Sequence, residues 1–260
     1  MKRYFKHGFA LMAMVLLLVM CAGCDDESTG SDAMGWRMQI KGLWSASDDT
    51  RTHYLLISGD ESDIGSAVLY WVRHAEPFLY AGQRGTYSLM PDGTASVHVS
   101  GYRGEGADWQ DVAYTVTGTL SFDGATLSMD LGAPANYTQT FTTQAIKGDW
   151  RASLVGSWHS TEIYTTSLVE STVVTLDGSG ETGRYVEIFY YDEFTPLHWR
   201  GDYETSDFGE ITVEFEEIYD YKTEEWGEWS TTGFREFLPF SNETFRMETE
   251  SSSVYILQKD

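Results

Sequence analysis

Thiols are almost absent from this chain: Cys21 and Cys24 are its two cysteines, and both fall within the first 24 of 260 residues. A body starting after them has no disulfide, no zinc-thiolate site and no cysteine nucleophile. Basic residues are also few, 17 Lys and Arg against 40 Asp and Glu, for a net charge of −23. Such a balance repels phosphate backbones, which excludes nucleic-acid binding, and it disfavours a bare anionic membrane. There are only 5 prolines, and no amphipathic segment of helix length, so a helical bundle is excluded. The one long apolar run, Phe9 to Met20, has 12 residues and is too short to span a bilayer. What is plentiful is Gly (25), Tyr (16), Phe (13) and Trp (9), a composition of strands and tight turns that is too apolar for disorder. An all-β fold follows, and the length leaves room for one large domain or two small ones.

The first residues carry an address. Lys2, Arg3 and Lys6 precede the apolar run, which closes on Leu18-Val19-Met20-Cys21-Ala22-Gly23-Cys24. A basic segment, a short apolar core and small residues before a cysteine read as a signal peptide over 1–23. Ala22-Gly23-Cys24 resembles the bacterial lipobox, which implies that Cys24 is lipidated, becomes the mature N-terminus and anchors the protein to a membrane of the bacterial cell envelope. The outer membrane, a periplasmic face and the cell surface all remain open as its place. Residues 24–38 begin Asp25-Asp26-Glu27-Ser28 and read as an acidic flexible tether.

The body is written twice. Ile40-Lys41-Gly42-Leu43-Trp44 matches Leu154-Val155-Gly156-Ser157-Trp158, Arg84-Gly85-Thr86-Tyr87 matches Arg200-Gly201-Asp202-Tyr203, and Gly93 matches Gly209. Gly118 to Phe122 then matches Gly233 to Phe237, so the anchors keep one order and nearly one offset, as an internal duplication requires. The copies are 39–146 and 147–260, joined near Ile146 to Leu154. Turn signals such as Pro91-Asp92-Gly93, Asp123-Gly124 and Asp177-Gly178 separate about eight short strands per copy. Alternation puts Ile211, Val213 and Phe215 on a core face, with Thr212, Glu214 and Glu216 in solvent. Eight meandering strands close naturally into a barrel without edges. The fold expected is therefore all-β, two tandem small eight-stranded antiparallel barrels, with a pair of β-sandwiches as the alternative.

A Gly-x-Trp on the first strand of each copy, about 100 residues per copy and a lipoprotein-type leader resemble the small bacterial lipocalin-like domains, sometimes found in tandem in exported lipoproteins. The resemblance covers Gln39 to Asp260 and implies a calyx that binds a small apolar or amphipathic ligand.

Catalytic signals are weak. Asp177-Gly178-Ser179-Gly180-Glu181 has the wrong spacing for a nucleophile elbow, and the acidic strand Glu214, Glu216, Glu217 alternates into solvent. His53, His74, His98, His159 and His198 are isolated, so no metal site and no cofactor is expected from them. Asp60 to Asp63 and Asp177 to Glu181 are oxygen-rich loops at equivalent places, ordinary as acidic hairpin tips though open to calcium. Trp44 and Trp158 should close the bases of the two barrels. Arg84 and Arg200, also kept in both copies, read either as stacking on an aromatic, such as that Trp, or as ordinary strand-end arginines. Aromatics present in one copy only are the binding candidates: Trp71, Trp109, Trp199, and Tyr219, Tyr221, Trp226 and Trp229 in what reads as an insertion, either a loop able to stack on a sugar or a cation or merely a long, partly buried hairpin. Lys147 to Asp260 holds 24 acids and 8 bases, against 12 and 5 in Gln39 to Ile146. Any partner of the second copy should therefore be cationic or metal-bearing. The functional expectation is a non-catalytic envelope lipoprotein binding a small amphipathic or carbohydrate ligand. The alternative is a structural lipoprotein with filled barrels that docks on an envelope protein.

Overall fold

The computed structural model describes residues 35–61, 63–165, 168–192 and 195–260; the leader, Cys24 and the chain up to residue 34 lie outside the described residues. Residues 35–39, at the end of the stretch read as tether, form a short helical turn. Apart from one 3-10 helix between the copies, the elements after it are antiparallel strands. In the first copy β1 (Gly42–Ser47), β2 (Arg51–Ser58), β3 (Ile64–Arg73), β4 (Glu76–Leu89), β5 (Thr94–Arg103), β6 (Gln110–Phe122), β7 (Leu127–Leu131), β8 (Tyr137–Phe141) and β9 (Thr143–Lys147) form one sheet in the order β8-β7-β6-β5-β4-β3-β2-β1-β9. Only Thr142 separates β8 from β9, and its N–H donates to the Ser45 carbonyl, so the expected eighth strand is present but broken in two. One piece holds β7 and the other returns to β1, which leaves the barrel nearly closed.

A 3-10 helix, Trp150–Leu154, leads into the second copy: β10 (Gly156–Tyr164), β11 (Val169–Leu176), β12 (Thr182–Tyr191), β13 (Leu197–Thr205), β14 (Glu210–Asp220), β15 (Glu225–Pro239), β16 (Thr244–Thr249) and β17 (Val254–Lys259). These eight close fully, β17 pairing with β10.

The duplication is visible in the hydrogen bonds. Trp44 Nε1 donates to the Ile40 carbonyl at 2.6 Å, and Trp158 Nε1 to the Leu154 carbonyl at 2.7 Å. Both indoles are buried at the base of their barrels. Gly93 and Gly209 hold φ at 87° and 90°, each turning the chain so that its carbonyl accepts from Leu120 N or Phe237 N. Both carbonyl contacts come so close that an added Cβ would lie 2.5 Å or less from a neighbouring carbonyl oxygen, so glycine is required twice for the same reason. The expected faces also hold: Ile211, Val213 and Phe215 are buried, Glu214 and Glu216 exposed.

One feature goes beyond eight strands per copy. Strands β2 and β3 are apolar on both faces: Leu55, Ile57 and Leu69 fill the first barrel, while Leu56, Val68, Tyr70 and Val72 point outward and join the core of the second copy. The barrels therefore lie side by side on a buried seam. Tyr54 stacks between Tyr70 and Phe240 at 5.0 and 5.3 Å, and the Tyr70 hydroxyl donates to the Pro239 carbonyl. At one end Trp150 Nε1 donates to Ser58 Oγ, and Ser66 Oγ to Asp207. At the other Arg103 reaches Glu236 and Glu248, so both bases face one way and both mouths the other.

That second contact is a buried quartet. Arg103 Nη2 donates to both Glu248 oxygens at 3.0 and 2.8 Å, and Nη1 reaches Glu236 at 3.1 Å; Arg246 Nη2 donates to Glu248 at 2.8 Å. Tyr80 donates to Glu236 at 2.6 Å and Trp109 Nε1 to its other oxygen at 2.6 Å. Burial alone would raise Glu248, but Arg246 and Arg103 outweigh it and hold the carboxyl below its ordinary range. Burial likewise works against the charged form of Arg103, and Tyr80, Glu236 and Glu248 more than offset this. Net attraction between the barrels comes from the apolar seam, at about 1.5–3 kcal/mol per fully buried side chain. A buried ion quartet is worth little against an apolar replacement, and much once broken. Arg103→Met should therefore cost about 3 kcal/mol in urea unfolding, because it strands two carboxylates beside one arginine. Adding Glu248→Met should restore part of that loss; a double variant less stable than the sum of the singles would contradict this account of the seam.

Candidate functional site

Among the described residues the first barrel shows no open calyx. Trp44, Leu55, Leu69, Val99, Val116 and Phe141 fill it from the base, and Trp71, His53 and Tyr137 stopper its mouth. The Tyr137 hydroxyl lies 3.0 Å from His53 Nδ1. Burial lowers the His53 pKa against the opposing pull of Asp48, so the ring is neutral near pH 7. Trp71 is thus packing, half-buried inside the rim.

The second barrel is also filled below its mouth, and its filling includes charge. Glu187, fully buried, takes Arg235 in a two-pronged pair, with Nη2 at 2.6 Å and Nε at 3.3 Å. Above this floor lies a mouth cavity of about 280 Å³, lined by Phe189, Tyr191, Trp199, Tyr255 and the hydroxyls of Thr249, Ser251 and Ser253. Trp199 stands edge-on to Phe189 at 5.8 Å, and its Nε1 has no partner among the described residues. The cavity is at the lower limit for a drug-sized molecule.

A further cavity of about 650 Å³ lies in a cleft between the two barrels. One wall is Arg103, Asp108 and Trp109 from the first copy; the other is the outer face of β13 to β16, with Glu204, Glu210, Phe234, Glu236, Glu248 and Glu250. Glu236 and Glu248 are spent on the quartet, and Glu210 meets Arg84 at 2.5 Å. Asp108 and Glu204 are exposed and carry no hydrogen bond or ion pair among the described residues, while Glu250 caps the Phe234 N–H at 2.7 Å. Phe234 is 55% exposed over this acidic floor. Apolar surface beside exposed carboxylates suits a cation that carries an apolar part.

The aromatics singled out from sequence separate into four places: Trp71 in the first mouth, Trp199 in the second, Trp109 at the cleft, and the remainder on the β14–β15 hairpin. Two expectations need correction there. The segment Tyr219 to Trp229 is no insertion, because 93–118 and 209–233 are of nearly equal length. It is the same strand pair drawn out to a four-residue turn at 221–224, where the first copy has a longer loop. Nor are Trp109 and Trp226 unrepeated. The Arg84 guanidinium lies 4.6 Å over Trp109, and its counterpart Arg200 lies 4.0 Å over Trp226. Of the two readings open for these arginines the stacked one holds, though not on the base tryptophans, and each is held by a carboxylate, Glu210 or Glu217. Trp226 further packs edge-on against His198 at 4.6 Å and Tyr219 at 5.3 Å, and Tyr219 against Tyr221 at 4.8 Å. These four side chains form a folded cluster, whereas Trp229 stands apart, 48% exposed.

No family model matches the chain, and no curated protein is similar to it in sequence. Among the described residues no group of three His, Cys, Asp or Glu could hold a metal ion, and no helix is long and apolar enough to cross a membrane. In the acidic loop 177–181, Asp177 accepts from the Gly178 N–H and Glu181 pairs with Arg151.

Trp226→Ala should destabilise the protein by about 1 kcal/mol, since it removes the indole from both Arg200 and His198. Trp229→Ala should leave the melting temperature unchanged. Equal effects of the two in calorimetry would show that the hairpin is not held by the arginine stack.

Proposed function

We propose that this is an exported, non-catalytic binding protein of a bacterial envelope, lipocalin-like and anchored by lipid on Cys24, that takes a small amphipathic cation in the cleft between its barrels. The observation that carries the ligand reading is the contrast between filled interiors and an open, acidic, aromatic-edged cleft of about 650 Å³. Calyx binding of a neutral apolar ligand or a sugar is less well supported, because the first mouth is stoppered and the second holds only about 280 Å³. The anchoring reading rests on the Ala22-Gly23-Cys24 motif and the basic, apolar leader.

Filled barrels also support a second reading, a lipoprotein that docks on an envelope protein. Tyr164, Leu168, Tyr190 and Tyr221, all exposed, sit at the strand ends around the mouth of the second barrel and supply the apolar surface which that reading needs.

Calorimetric titration of the body, Gln39 to Asp260, with phenethylamine and with its neutral alcohol separates charge recognition from apolar filling. The amine should bind saturably, weaken as salt is raised, and lose affinity in a Glu204→Gln, Glu250→Gln variant. Equal binding of amine and alcohol, or none of either, would overturn the cleft reading. For the anchor, Cys24→Ala in a bacterial host should abolish fatty-acid labelling and membrane fractionation; a labelled, membrane-bound variant would refute lipidation there.

A further inference from the structure

The wall of the second barrel is notched. β15 runs from Glu225 to Pro239, but β16 pairs with it only from Arg235 to Pro239. On its other side β14 is paired as far as Glu225, and β13 covers β14 up to Ile218. Residues Glu225 to Phe234 are thus the bare edge of a three-stranded wall, not one arm of a free ribbon. Unpaired N–H and C=O groups on such an edge are a template for another strand.

The direction of those groups is fixed. Phe234 N–H points away from β14, because it donates to the Glu250 carboxylate beyond the edge. Thr232 lies two residues earlier with no bulge between, paired opposite Glu214, so its N–H points the same way. Phe234 lines the acidic cleft, which therefore opens on one end of the edge. Exposed Trp229 and Phe234 offer apolar contacts along it, and Glu225, Glu228 and Glu250 give it one sign of charge, with no basic residue from Glu225 to Phe234.

We infer that this edge accepts an extended, lysine- or arginine-rich segment of a partner protein as an added β-strand, one end of which lies in the cleft. Backbone pairing supplies affinity, and the carboxylates select the charge. The inference rests on the cleft being a cation site. A second copy of the chain is the weaker occupant, since edge-to-edge pairing would bring together two sets of Glu225, Glu228 and Glu250 on domains that are already acidic. The first copy has a similar notch, Gln110 to Val116 lying beyond β7, but without exposed Trp or Phe and with Asp111 as its single charge.

The test uses an amidated octapeptide of alternating lysine and valine, and the same peptide N-methylated on every residue, which keeps the charge but has no N–H on either edge with which to pair as a strand. The plain peptide should bind the body and slow amide exchange at Thr232 and Phe234, and N-methylation should weaken it at least tenfold. Thr232→Pro should do likewise, since proline is tolerated where the N–H faces no ladder partner. Equal binding of both peptides to the unaltered protein would overturn strand addition whatever the variant does. Phenethylamine binding without peptide binding would reject the inference and leave the cleft reading standing; loss of both would reject both. Concentration-dependent dimers with a protected edge would assign the edge to a second copy instead.

Discussion

Two arginines and two glutamates shut between the barrels set the geometry of everything around them. Arg103 comes from the first copy, while Arg246, Glu236 and Glu248 come from the second, so the charges balance only when the copies meet in one register. An unpaired ion there would cost several kcal/mol, whereas the aromatic stack of Tyr54, Tyr70 and Phe240 would tolerate sliding. The apolar seam thus supplies adhesion and the quartet supplies position. Trp109 belongs to the same arrangement, its N–H on Glu236 and its ring under Arg84, and so the cleft wall is fixed by the seam that forms the cleft floor.

Duplication followed by divergence explains how two similar barrels came to do different work. The first copy has turned the outer face of β2 to β4 into a docking wall. The second has kept the outer face of β14 largely in solvent and carries most of the acidity. Its interior also departs from an apolar barrel: Glu187 and Arg235 replace core aliphatics with a closed ion pair, held beneath the mouth by Tyr185 and Phe215.

Much of this was legible in the sequence, and the failures have physical causes. Gly93 and Gly209, the paired tryptophans and the alternation Ile211, Val213, Phe215 are local requirements, so each leaves a local mark. The seam left a mark that is easily misread: Leu55-Leu56-Ile57 and Ala67 to Val72 are continuous apolar runs, the pattern of strands covered on both faces. Trp109 and Trp226 looked unrelated because their equivalence lies in a shared arginine partner and not in neighbouring letters. The quartet and the cleft were illegible, since Arg103 meets residues more than 130 positions away and nothing nearby in the chain announces them. The same holds for the notch, which is defined by where β16 stops.

The two-faced wall has a consequence for how the chain is made. The first barrel can close once Lys147 has emerged, because β9 then reaches β1. Its outer wall of Leu56, Val68 and Tyr70 stays uncovered until the residues of β15 and β16 arrive, roughly 100 residues later, which takes about 5–20 s at ordinary synthesis rates. During that interval the chain is a finished barrel with a sticky side, and it is most exposed to aggregation midway through its own production rather than at either end.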